Sequence, residues 1–104
     1  MSLGDITLRL RWRKTWEDVE DDFIGYVPGL VDTLGRPVRK IGRIHIIQGN
    51  PHAGEFVWYY QACLPGLPWA ALTRGGWEPT AREAAKQIED IWFRVIVGTP
   101  YDQA

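Results

Sequence analysis

The sequence holds one cysteine, one methionine and two histidines among 104 residues. A single thiol cannot build a disulfide framework, which excludes the stapled secreted scaffolds and makes a reducing cytoplasm the simplest home. His45, His52 and Cys63 have no companions at metal-ligand spacing, so no metal site is expected. No apolar run approaches the ~20 residues needed to span a bilayer, and no membrane association is expected. The opening Met1-Ser2-Leu3-Gly4-Asp5 lacks a basic stretch leading into an apolar one, so it does not read as a signal peptide. An excess of either charge is also missing: 12 Lys and Arg face 13 Asp and Glu, for a net charge of −1. A generally basic, phosphate-coating surface is thereby excluded, although a local basic patch is not. Glycine-rich phosphate loops, metalloprotease helices and nucleophile elbows are all absent, so neither an enzyme nor a cofactor is expected.

Aromatic residues, by contrast, are abundant: six Trp, four Tyr and three Phe. A chain of this length makes one compact domain, spanning residues 1–104. Between Asp5 and Arg13 the pattern alternates strictly. Ile6, Leu8, Leu10 and Trp12 point to one side and Thr7, Arg9, Arg11 and Arg13 to the other, which predicts a strand with one face on a core. Trp16, Val19 and Phe23 fall on one helical stripe behind Thr15, a residue suited to an N-cap, and predict a short early helix. Val38 to Gln48 and the aromatic run Glu55 to Leu64 predict two more strands. Gly49 to Gly54 forms the turn between them, and Gly42 marks a bulge or a close backbone approach. Pro65 to Glu78 reads as irregular, with Trp69 and Trp77 as its anchors. Thr80-Ala81-Arg82-Glu83 has capping-box spacing ahead of Ala84, Ala85, Ile88, Ile91, Trp92 and Val95, one apolar helical face that Gly98 and Pro100 terminate. The sum is an α+β fold: a small antiparallel β-sheet of three or four strands, one long C-terminal helix packed on one face, and a short early helix.

Phe93 and Val97 fall beside Arg82, Lys86 and Glu89, away from the helix's apolar face. A large aromatic on a polar helix face suggests either a partner surface or a cover formed by the tail through Tyr101. Glu17, Asp18, Glu20, Asp21 and Asp22 resemble a cation loop only superficially, because Phe23 stands where its glycine turn is needed. A solvated acidic face explains them. Cys63 reads as a small buried hydrophobe. Arg9, Arg11, Arg13 and Lys14 form one basic cluster, and Arg36, Arg39, Lys40 and Arg43 a second. If the two meet on the sheet face opposite the helix, they offer a surface for nucleic acid or an acidic partner, with Trp58 or Tyr59 available to stack on bases.

The run Gly76-Trp77-Glu78-Pro79-Thr80-Ala81-Arg82-Glu83-Ala84-Ala85 follows aromatic strands and opens a helix in T-x-x-E-A. It resembles small uncharacterised bacterial and prophage-type proteins built as a sheet followed by a helix. The same order is shared by plant APETALA-type DNA-binding domains and the arm-binding domains of tyrosine recombinases, whose sheets read DNA through Arg and Trp. The resemblance covers residues 38 to 96. This chain departs from those domains in its early acidic element, its long Pro65 to Glu78 segment and its charge balance, so no base-reading residue is carried over. The resulting expectation is a non-enzymatic interaction module, adaptor or regulatory and phage-related, whose partner is a protein or a second copy. The alternative is a nucleic-acid binder using the arginine-bearing face. The sequence leaves a small-molecule ligand open.

Overall fold

The computed structural model describes residues 7–67 and 74–102, so the expectations for Ile6 and Trp69 lie outside the described residues. Five strands, β1 (Arg11–Lys14), β2 (Asp22–Tyr26), β3 (Gly42–Ile46), β4 (Phe56–Tyr60) and β5 (Gly75–Glu78), precede one helix, α1 (Ala81–Val95). The strands form one antiparallel sheet in the order β1-β2-β3-β4-β5, so each strand pairs with its neighbours in the chain. Helix α1 lies across β3, β4 and β5. The α+β layout expected from the sequence is present, with two corrections: there are five strands rather than three or four, and the early helix is absent.

Both corrections have local causes. The stretch from Trp16 to Asp21 turns back on itself, with Val19 N–H donating to Trp16 O, and Asp21 adopts φ 57°. Thr15 does not cap a helix. Its N–H donates to Asp22 O at 2.9 Å and its hydroxyl to Asp22 Oδ1 at 2.7 Å, which closes the β1–β2 hairpin. Phe23 is thereby drawn into β2, where pairing on both sides outweighs the weak helical stripe. Trp16, expected on a core face, is left exposed in the turn. The fifth strand, Gly75–Glu78, has little intrinsic β preference and exists because β4 templates it.

The helix side of the sheet is shaped by two glycines. Across the strands Trp12, Gly25, Gly42 and Tyr60 form one row. A Cβ on Gly25 would sit 2.7 Å from the Trp12 ring, and one on Gly42 would sit 2.6 Å from Tyr59 O and 2.8 Å from Ile88 Cγ2. Their bare backbones form a trough. The Trp12 indole lies over its β2 end and Ile88 of α1 seats in its β3 end, the close approach that Gly42 suggested in the sequence. Ala84, Ala85, Ile88, Ile91, Trp92 and Val95 are buried against Ile44, Trp58 and Tyr60, as the helical spacing predicts. Thr80 Oγ1 accepts from Glu83 N–H at 3.1 Å, while the Glu83 carboxylate accepts the Thr80 hydroxyl.

Glu89 is buried, with 2% of its surface exposed. Its carboxylate accepts Arg9 N–H at 2.7 Å, Leu10 N–H at 2.8 Å and Trp12 Nε1–H at 2.9 Å. The segment before β1 is thus bonded to the flank of α1, and that flank is not the solvated polar face the sequence suggested. Tyr101, beyond the end of α1, is also buried, its hydroxyl accepting from Thr33 N–H at 3.0 Å and donating to Pro65 O at 2.6 Å.

Glu89→Gln places an amide NH2 where an acceptor is required, and the expected cost is about 2–3 kcal/mol in urea unfolding at pH 7. Gly25→Ala displaces Trp12 and is expected to cost about 1–3 kcal/mol. Because both act through Trp12, the double variant should lose less than the sum of the two, and strict additivity would break the link argued here.

Candidate interaction surface

Side chains alternate across a sheet, so the positions between those facing α1 form the opposite face. One row there runs Arg13, Ile24, Arg43, Tyr59 and Gly75, and the next runs Asp22, His45, Val57 and Trp77. Among the described residues no helix or strand covers this face. Ile24 and Val57 are buried between larger cross-strand neighbours, whereas Tyr59 is 43% and Trp77 54% exposed. Tyr59 stands opposite Gly75, and Trp77 is its diagonal neighbour. Diagonal pairs of this kind lie roughly 7–8 Å apart, within reach of one another's rings. His45 leans on Tyr59 with ring centroids 5.9 Å apart, and His52 stacks on Trp77 at 4.5 Å. His52 Nδ1 lies 3.0 Å from Glu55 Oε1, which holds its ring in place. The result is a patch of four rings centred on β4 and β5.

The cations of this face are largely engaged. Arg43 Nε donates to Asp22 Oδ1 at 2.9 Å and Nη2 to Oδ2 at 2.6 Å, a two-point pair with an acid that is itself buried. The Arg43 hydrogen bond is the main cause holding the Asp22 carboxyl below its ordinary range, against the opposing effect of burial, and Thr15 assists. The same bond raises Arg43. Arg13 lies over the Tyr26 ring at 5.5 Å. Glu78, on the helix side of β5, is pushed up by burial and by the nearby carboxylates of Glu83 and Glu55.

The structure brings the candidate residues together only in part. Arg13 and Arg43 share the helix-free face with Ile24 between them, and Arg11 is opposite Tyr26 in the β1–β2 register. Arg39 and Lys40 are exposed in the loop before β3. Arg9 lies elsewhere: its guanidinium covers the Phe93 ring at 3.7 Å. Phe93 is therefore half-buried beneath Arg9, while Val97 is exposed. Tyr101 packs near Trp92, with ring centroids 6.4 Å apart. Trp58 faces the core and cannot stack on a ligand. Cys63 is exposed rather than buried. Sequence reasoning overlooked Tyr26, weighed His52 only as a metal ligand, and took Trp77 for an anchor of an irregular segment, whereas it stands exposed on β5. The available signal for Trp77 was its position in a run of Gly-Gly-Trp-Glu, where small neighbours leave a large ring standing free.

No group of three or more His, Cys, Asp or Glu side chains able to hold a metal ion occurs among the described residues, and no helix among them is long and apolar enough to cross a membrane. Compared with known proteins, the chain matches no family model, no curated protein and no solved structure.

Two of the shifted carboxylates, Asp22 and Glu78, predict opposite pH behaviour. Asp22 is lowered in the folded state, so its contribution is present above about pH 4 and is lost as pH falls through the folded value. Asp22→Asn should cost about 2 kcal/mol at pH 7 and much less at pH 2–3. Glu78 is raised, so its ionised form weakens the fold at neutral pH and the penalty disappears in acid. Glu78→Gln should therefore stabilise at pH 7 and be neutral near pH 3. Urea unfolding at the two pH values checks both, and equal effects at both would refute the assignment.

Proposed function

We propose that this chain is a small non-enzymatic interaction module of the cytoplasm, and that a second copy of itself docks on the helix-free sheet face. The observation that carries this reading is the pair of exposed aromatics, Tyr59 and Trp77, diagonal neighbours toward the β5 edge of an uncovered face and stiffened by His45 and His52. Trp, Tyr and Arg are the residues that supply most of the binding energy at protein interfaces, and rings already braced lose little freedom on docking. A second copy suits the charge pattern. Arg11 and Arg13 lie on β1, and Glu17, Asp18, Glu20 and Asp21 occupy the turn that follows it. A two-fold arrangement of two such faces sets each basic strand against the partner copy's acidic turn, a self-complementary contact. With a net charge of −1, two copies meet with almost no overall repulsion. A binding role rather than a catalytic one is supported by the histidines being occupied: His45 Nδ1 is 3.1 Å from Ile46 O, and His52 is held by Glu55 and Trp77.

Nucleic acid is the weaker reading of the same face, because Arg43 is neutralised by Asp22 instead of being available to phosphate. Sedimentation across a concentration series should show a monomer–dimer equilibrium that shifts toward monomer in high salt. Trp77→Lys, on an exposed edge position, should weaken it at least about tenfold without unfolding the chain. A wild-type chain that stays monomeric at about 100 μM, where interfaces of ordinary affinity are populated, overturns the proposal. If that monomer shifts pooled DNA or RNA at low salt, the face belongs to nucleic acid.

A further inference from the structure

Where the segment before β1, the end of β2 and the last turn of α1 meet, the structure encloses a cavity of about 450 Å³. We infer that this cavity binds a small organic anion: a flat apolar body carrying one carboxylate. Its size lies within the roughly 300–1,000 Å³ range of small-molecule sites. The inner wall is apolar, formed by Leu30, Trp92, Phe93 and Tyr101. Arg9 and Arg11 also line the cavity, and among the described residues neither makes an ion pair.

Arg9 is fixed in place from two directions. Its backbone N–H donates to the buried Glu89, and its guanidinium lies 3.7 Å above the Phe93 ring. An arginine held this way has little rotamer freedom left to lose, and its planar fork of N–H donors suits the geometry of a carboxylate. Asp102 stands on the rim as the one acid, and its Oδ2 accepts Gly98 N–H at 3.2 Å, so its charge is directed at the chain beyond α1. Two cations against one engaged acid leave the lining positive. This gives Phe93 a role beyond the exposed anchor its sequence position suggested: it is the platform on which a cavity-lining arginine rests.

Phenylacetate is a suitable probe, with 2-phenylethylamine as its cationic counterpart. In amide-resolved NMR titration of the full chain, phenylacetate should give saturable shifts confined to residues 9–11, 26–30 and 92–102. Its Kd is expected at about 0.1–1 mM, typical for a ligand of so few atoms. The amine should leave those residues unmoved. Arg11→Gln should weaken phenylacetate about tenfold, the loss expected for one charge-assisted contact, with an unchanged melting curve. Arg9→Gln should do the same, and if removing the cover from Phe93 unfolds that variant, the Arg11→Gln result decides alone. The inference fails if no saturable shift appears up to about 10 mM, far above the expected Kd. It fails equally if the amine binds as well as the acid, or if folded Arg11→Gln binds like the wild type.

Discussion

Glu89 is the point on which the organisation of this molecule depends. The helix packs over β3, β4 and β5, and its apolar face stops short of the other two strands. What bonds across is one carboxylate, which gathers two backbone N–H groups from the segment leading into β1 and the Trp12 indole of β1 itself. A buried acid with three N–H donors and, among the described residues, no ion-pairing cation is costly to desolvate, and it persists because these donors are in place. Trp12 completes the arrangement by lying over the bare backbone of Gly25, so the side chain bonded to Glu89 is also the one that roofs the β1–β2 end of the sheet. The same bonds place Arg9 above Phe93 and form one wall of the cavity.

The two faces of the sheet divide the work. The helix side is built for closeness, with glycines where rings and methyls must sit down on the backbone. The other side keeps its backbone flat and its rings standing. Asp22 and Arg43 hold each other at one end, which prevents that cation from folding across the aromatic patch. The face is thus neutral and aromatic at β4 and β5, and charged toward β1 and the turn after it.

How much of this was legible in the sequence follows from how local each signal is. The helix could be read residue by residue, because Thr80, Glu83 and the spacing from Ala84 to Val95 record contacts within one element. The strands around Ile44 and Trp58 were legible for the same reason. The β2 strand was not, since Asp22 and Phe23 carry no strand pattern of their own and owe their conformation to pairing on both sides. Glu89 was misplaced on a solvated flank because a helical periodicity shows which residues share a side, not which distant segment will cover it. The arginines were read as two clusters. Arg11, Arg13 and Arg43 alternate onto the helix-free face with β2 between their strands, whereas Arg9 lies over Phe93 instead.

The order of elements along the chain has a consequence for how the protein is made. Strands β1 to β5 are all synthesised before α1, and each can pair with the strand just completed. Their apolar side, with Ile44 and Trp58 at its centre, nevertheless has nothing to rest against until Ala84 to Ile96 has been added. For that interval the nascent sheet has two uncovered faces rather than one, and its outer strands present unpaired edges. The acidic turn and the basic first strand are charged parts of this half-finished chain, and they are in place before the helix is.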